Sequence, residues 1–319
     1  MRFVAYEAET GDLRSGVLSR ESIEAGEEVF ALPAGTMIAD LLGDDGTRLW
    51  EAGVEALAKS TPVPLSDLTL RAPLPRPPTI RDFYAFEQHV ATARRNRGLE
   101  MDPDWYELPV FYFSNPYAVF GPEDEVPAAP GTSRLDFELE VAAVVGRGGE
   151  NLTVEEARAP GRIAGFTIMN DWSARDVQMR EMRLSMGPVK GKDFATSIGP
   201  VLVTPDELEA TRKDHAYDLT MTASVNGREY SRASLADIYW SFEEMLSYAS
   251  RGTRVEPGDV IGSGTCGTGC ILELSLTHSS DEYPWLEPGD VVELTVDLLG
   301  TLRNVVAPPQ PLHPLRAGA

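Results

Sequence analysis

The stretch Leu135-Asp136-Phe137-Glu138-Leu139-Glu140, which runs on into Val141-Ala142-Ala143-Val144-Val145, constrains this chain more than any other. On a strand, residues two apart project from the same face, so Glu138 and Glu140 point the same way. Two ionised carboxylates turned into a pocket repel each other and lose hydration. They need a cation, and hard oxygen ligands suit Mg²⁺, Mn²⁺ or Ca²⁺. The alternative is a one-sided sheet whose exposed face leaves both glutamates solvated. Spacing alone does not choose between the two.

A second constraint is the run Ala72-Pro73-Leu74-Pro75-Arg76-Pro77-Pro78. Four prolines disfavour helix and remove amide donors a sheet would use, so residues 72–78 read as an extended linker. Before it, residues 1–71 read as a small N-terminal α+β domain. Short strands are expected at 1–8, 15–19 and 29–32, broken by Gly11 and Gly26, with helices at 36–42 and 48–58. The second domain occupies 79–319.

At 319 residues one large domain with a smaller companion is the natural division. No apolar run approaches the ~20 residues of a membrane helix, so no membrane partner is expected. The first residues show no charged-then-apolar signal pattern, and Cys266 and Cys270 are the only cysteines, which points to a reducing cytoplasm. A formal net charge of -22 argues against nucleic acid or anionic membrane as partner.

Downstream of the linker, Thr79 can cap a helix over 80–97 that ends at Gly98 and places Asp82, Phe86 and His89 on one face. A lone His on a helix is more often structural than chemical. His215, His278 and His313 have nothing chemical beside them. An apolar strand at 163–169 delivers Asn170 and Asp171. Asp171, Arg175 and Gln178 then follow helical spacing, while Asp176, Arg180, Glu181 and Arg183 read as a solvated face. The loop 187–196 carries Lys190 and Lys192, but Gly191-Lys192 is followed by Asp193, which fails the phosphate-loop pattern and excludes a nucleoside triphosphate site on that basis.

Further on, strands are expected at 201–204 and 219–225, with a hairpin turn at Asn226-Gly227. A helix over 235–250 follows, its core stripe made by Ile238, Phe242, Met245 and Leu246. The phrases Glu256-Pro257-Gly258-Asp259-Val260 and Glu287-Pro288-Gly289-Asp290-Val291 are turn chemistry before strands. Cys266 and Cys270, four apart with no second pair, read as free thiols. Glu273 interrupts an apolar run at 270–276 that reads as a strand. It is either outward-facing or a buried carboxylate held for a purpose.

Taken together, Asp82-Phe83-Tyr84 with Gln88-His89, Glu138-Leu139-Glu140, Asn170-Asp171-Trp172-Ser173-Ala174-Arg175-Asp176 with Gln178, Gly191-Lys192, Gly264-Thr265 and Leu272-Glu273-Leu274 form six ordered motifs. In these the sequence resembles the fumarylacetoacetate hydrolase superfamily, from the linker to about Leu299. The resemblance implies an α+β, β-rich fold, with a mixed β-sheet roll of the fumarylacetoacetase C-terminal type behind the small N-terminal domain. It also implies one bound divalent ion (Mg²⁺, Ca²⁺ or Mn²⁺) and a homodimer. Motif by motif, it makes Asp82, Glu138, Glu140 and Asp171 the metal ligands and Lys192 the cation beside the metal. His89 becomes the general base and Glu273 the acid that orients it. Tyr84, Tyr112, Arg175, Gln178 and Thr265 become the residues that hold substrate oxygens, Arg175 also counting among the catalytic groups.

The implied activity is metal-dependent hydrolysis of a carbon-carbon bond in a β-diketo acid, of fumarylacetoacetate or acylpyruvate type, in aromatic-compound catabolism. His89 and Glu273 together favour hydrolysis over the decarboxylases, isomerases and hydratases of the same superfamily, and over a catalytically silent metal-binding protein. One departure bears on the substrate. The family's fumarylacetoacetases carry an Arg nine residues after the His, and that position is Gly98 here, preceded by Arg94, Arg95 and Arg97.

Overall fold

The computed structural model describes residues 1–19, 27–95 and 98–316. The expected break at Gly26, the end of the helix expected over 80–97, and Arg97 lie outside the described residues.

A twelve-stranded mixed sheet dominates the fold. Nine of its strands are β1 (Arg2–Glu7), β2 (Leu13–Leu18), β3 (Glu28–Ala31), β4 (Ile80–Phe83), β5 (Phe111–Ser114), β6 (Leu139–Val145), β7 (Ile163–Asp171), β8 (Thr196–Val203) and β9 (Val260–Gly262). They lie in the order β3-β2-β1-β8-β7-β6-β9-β4-β5, so the first strands of the chain hydrogen-bond directly onto the central ladder through β1 and β8. A five-stranded sheet built around Thr220–Val225, Val291–Val296 and Gly300–Ala307 packs against one face.

Strand β6 is buried along its whole length. Val141, Ala143 and Val145 join a core cluster with Met221, Ala223, Val292 and Leu294 of the second sheet. Ala142 and Val144 face the opposite side, in a cluster with Met1, Phe3 and with Leu49 and Ala56 of helix α1 (Thr47–Lys59). A strand covered on both faces reads as a continuous apolar run, as this one does. Each fully buried Val or Leu contributes about 1.5–3 kcal/mol. Glu140 continues the parity of Ala142 and Val144, which places a carboxylate inside the molecule.

Four local expectations are corrected. Residues 80–83 form strand β4, not the start of a helix, and among the described residues helix α2 covers Glu87–Arg95. β4 pairs in parallel with β9 and antiparallel with β5, and the Thr79 hydroxyl donates to Asp259 instead of capping a helix. Asp82 and His89 therefore sit on different elements. Asp171 is the last residue of β7, outside helix α3 (Arg175–Met182). The helix expected over 235–250 is a 3₁₀ turn, Leu235–Asp237, followed by α4 (Phe242–Ala249), which starts at a capping box between Ser241 and Glu244. The four stripe residues are buried as expected.

The fourth correction concerns Glu273, which lies on helix α5 (Ile271–Thr277) and not on a strand. Short apolar runs do not distinguish the two by periodicity. Here the amides of Ile271 and Leu272 donate to the Asp136 carboxylate at 2.7 and 2.9 Å, which satisfies first-turn donors that a helix otherwise leaves open. Two smaller differences are a 3₁₀ turn at Ile38–Leu41 and a β8 that begins at Thr196. Among the described residues no helix is long and apolar enough to cross a membrane.

Candidate active site

β4 and β7 run antiparallel to β6, so the ends of β4 and β7 meet the beginning of β6 at one end of the sheet. Asp82, Glu140 and Asp171 occupy those three places. Glu138 sits in the break between the short strand Leu135–Asp136 and β6, where its amide donates to Asn170 Oδ1 at 3.0 Å. One carboxylate oxygen from each of the four lies within 4.8 Å of the others, and all four side chains are buried. Such close approach needs a residue without a side chain opposite. A Cβ on Gly262 would stand 2.6 Å from Asp82 Oδ1 and 3.1 Å from Glu140 Oε2.

The cluster is short of positive charge. Lys192 Nζ donates to Glu138 Oε2 at 2.6 Å and to Asp171 Oδ2, which also accepts from the Tyr112 hydroxyl. Arg175 donates from Nη2 to Glu138 Oε1 and from Nε to Asp136 Oδ2, both at 2.7 Å, and from Nη1 to Gln178 Oε1 at 3.1 Å. Burial alone would raise the Glu138 carboxyl, but Lys192 and Arg175 hold it below the usual carboxylate range. Burial, then the neighbouring Asp171 charge, pushes Asp82 well up; burial, then Asp82, does the same to Glu140. Asp171 is also raised, chiefly by burial.

Asp82 Oδ1, Glu140 Oε1 and Asp171 Oδ1 are buried and find no hydrogen-bond partner among the described residues. Unpaired buried oxygens of this kind carry a full desolvation cost. Three of them on one cluster are the donor set that a hard divalent cation would satisfy, and the residues fit such an ion.

Beside the cluster, His89 on α2 shares a 2.8 Å hydrogen bond from Nδ1 to Glu273 Oε2 on α5. Both side chains are buried. The Tyr84 ring meets His89 edge-on at 5.8 Å. One cavity of about 410 Å³ is bordered by Asp82, Tyr84, His89, Tyr112, Glu138, Arg175, Gln178, Lys192 and Thr265, so nine of the twelve residues expected from the sequence open onto it. Glu140, Asp171 and Glu273 stand behind that lining. A larger cleft of about 650 Å³ beside α1 mixes exposed acids with Arg158 and Arg212 and has no His or Cys in its wall among the described residues.

Two kinds of residue escaped the sequence reading. Asp136, fully buried, binds Arg175 and the first amides of α5 together, so it ties the helix that carries Glu273 to the cation beside Glu138. Its signal was available: Asp136, Glu138 and Glu140 are spaced two apart. Asp176 and Glu181, expected on a solvated face, instead hold loops. Asp176 accepts from Thr132 Oγ1 and the amide and hydroxyl of Ser133, and Glu181 from the amides of Val189, Lys190 and Gly191 ahead of Lys192. Cys266 and Cys270 are free thiols, both buried.

Among known proteins, the model of the fumarylacetoacetate (FAA) hydrolase C-terminal family matches residues 79–307. The chain is 30% identical over 308 residues to a fumarylacetoacetase of Oryza sativa subsp. japonica, covering 79% of this chain and 71% of the relative. It is also 30% identical over 246 residues to the oxaloacetate tautomerase YisK of Bacillus subtilis (strain 168), covering 76% of this chain and 74% of that one. Among solved structures, a fumarylacetoacetate hydrolase from psychrophilic Exiguobacterium antarcticum superposes with a TM-score of 0.70 at 25% identity, over 97% of this chain and 99% of that chain.

Proposed function

The chain belongs to the fumarylacetoacetate hydrolase family, and from that premise we propose that it is a divalent-metal-dependent hydrolase of a carbon-carbon bond in a β-diketo acid, of acylpyruvate or fumarylacetoacetate type. One observation carries the reading: a His held by a buried carboxylate opens onto the same cavity as a carboxylate cluster with unpaired oxygens.

A hard ion such as Mg²⁺, Ca²⁺ or Mn²⁺, held by Asp82, Glu138, Glu140 and Asp171, would act as a Lewis acid toward the two oxygens of a 2-oxo acid. The protein supplies the rest. Glu273 accepts the Nδ1 proton of His89 and fixes the tautomer that leaves Nε2 free to accept. His89 takes a proton from water as the water oxygen bonds to the distal carbonyl carbon. Lys192 and Arg175 keep positive charge beside the oxygen that becomes anionic. Gln178 borders the cavity, and with its oxygen already engaged by Arg175 its amide nitrogen is the group left to donate. The carbon-carbon bond then breaks, its electron pair passing to the 2-oxo fragment as an enolate, and that carbon recovers a proton from His89. Tyr84, Tyr112 and Thr265 line the cavity where substrate oxygens lie.

A second reading has support of its own, because the chain is as identical to an oxaloacetate tautomerase as to a fumarylacetoacetase. The same His could shuttle a proton between carbon and oxygen, breaking a C–H bond and forming an O–H bond with no carbon-carbon bond cleaved. Turnover of acylpyruvates in ¹⁸O-water by the Mg²⁺-loaded protein separates the two. One solvent oxygen in the released acid supports hydrolysis; interconversion of keto and enol forms without cleavage of any β-diketo acid tested would replace hydrolysis by tautomerisation.

A further inference from the structure

We propose, building on the β-diketo acid reading, that the far end of the substrate is an uncharged apolar chain or ring and not a second carboxylate. The cavity is chemically mixed. Beside the charged and polar groups already named, its wall carries the apolar side chains of Ala93, Val110, Phe111, Met182, Met186 and Leu272.

Charge balance excludes a second anion there. Among the described residues, Arg175 and Lys192 are the Lys and Arg side chains that border the cavity, and both are about 3% exposed. Arg175 is matched by Asp136 and Glu138, and Lys192 by Glu138 and Asp171. Asp82, Asp136, Glu138, Glu140 and Asp171 are five buried acids against two side-chain cations, so even a bound divalent ion leaves the centre negative before Glu273 is counted. Arg94, close to the departure at Gly98, turns away: its Nε donates to the Glu100 carbonyl at 2.6 Å and its Nη2 lies 3.6 Å from Asp102. A carboxylate at the far end of the substrate would shed water against apolar side chains with no unmatched cation among the described residues that border the cavity.

The apolar wall is built for contact. Arg175, Gln178 and Met182 fall at i, i+3 and i+7 on α3, on one face of the helix. Met182 and Met186 are 43% and 85% exposed while bordering the cavity, and a hydrocarbon tail would cover them. Unbranched thioether side chains adapt to tails of differing shape.

The test compares hexanoylpyruvate and benzoylpyruvate with succinylpyruvate, whose acyl group ends in a carboxylate, on the Mg²⁺-loaded protein. The neutral tails should have kcat/KM at least ~30-fold higher. Met182→Arg should raise succinylpyruvate turnover about tenfold while lowering that of hexanoylpyruvate. Binding of N-hexyloxamate against N-(5-carboxypentyl)oxamate, measured by calorimetry, reports the same preference without any reaction. If the diketo acids are cleaved but the charged tail is handled as well as the neutral ones, the inference about the tail is wrong and the reaction stands. If no diketo acid is cleaved yet the neutral oxamate binds more tightly, the reaction is wrong and the tail inference stands. Equal binding of both oxamates, or binding of neither, overturns it.

Discussion

His89 and Glu273 stand 184 residues apart in the chain and 2.8 Å apart across a buried hydrogen bond. Helices α2 and α5 carry one partner each, so neither side chain is oriented by its own local sequence. If His89 is the base, His89→Ala should lower kcat by about 10²–10⁴ with KM little changed. Glu273→Gln, which keeps the shape but loses the charge that stabilises imidazolium, should lower it by about 10–100-fold. Steady-state kinetics on an acylpyruvate gives the answer, and full activity in Glu273→Gln would remove the pair from the chemistry.

The carboxylate cluster gives a separate test that does not rely on turnover. Thorough chelation should abolish activity, and added Mg²⁺ or Mn²⁺ should restore it. Saturating Mg²⁺ should also raise the Tm of the wild-type protein, because an ion that binds only the folded state stabilises it by mass action. Glu140 is so buried among acids that its carboxyl is pushed well up by burial first and Asp82 second. Glu140→Gln therefore resembles the protonated state and should leave the metal-free Tm within about 2 °C of wild type, while the Mg²⁺-dependent rise disappears. A full rise in that variant would show that Glu140 is no ligand.

How much of this was legible depends on where each contact partner lies. The acids at 82, 138, 140 and 171, with Lys192 and His89, could be named from the sequence because each sits in a short motif. Their secondary structure was less readable. Residues 80–83 pair with 260–262, and the first amides of α5 close on Asp136, 135 residues earlier; local propensity sees neither partner. The two-residue spacing to Glu138 marks Asp136 in the sequence, but its role rests on partners as distant. Its carboxylate has work to do only once Arg175 and α5 have arrived.

Asp136 should consequently matter for stability. With no exposure of its own, it neutralises Arg175 and accepts from Ile271 and Leu272. Asp136→Asn leaves a buried guanidinium short of one counter-charge, a change that costs about 3 kcal/mol. Urea denaturation should show a lower midpoint at unchanged slope. An unfolding free energy within about 0.5 kcal/mol of wild type would mean that Glu138 alone suffices to hold Arg175.

Gly262 answers to packing. A Cβ there would lie 2.3 Å from Met169 Cε and 2.6 Å from Asp82 Oδ1. Met169 can swing aside, but Asp82 can retreat only by leaving the cluster. Gly262→Ala should weaken Mg²⁺ affinity by at least about tenfold, read from the Mg²⁺ dependence of both Tm and activity. Unaltered affinity would separate Asp82 from the ion.

Asp176 supplies the pH dependence. Although burial alone would raise its carboxyl, the Ser133 amide and the Thr132 and Ser133 hydroxyls, with Val177 N–H, hold it below the ordinary Asp range. A carboxyl depressed in the folded state contributes stability that is fully present above the unfolded value of about 3.9 and is lost as pH falls through the folded value. The group is half-buried, so solvent screening limits its contribution to about 1 kcal/mol. These bonds pin residues 132–134, just ahead of Leu135, to the first turn of α3, where the Arg175 amide also donates to the Arg134 carbonyl at 2.9 Å. Asp176→Ala should thus be less stable than wild type at pH 7, and the gap should close as pH falls below about 4. Paired denaturation curves from pH 7 to pH 3 measure it. A gap that stays constant over that range would assign the loss to the missing side chain's packing and not to its charge.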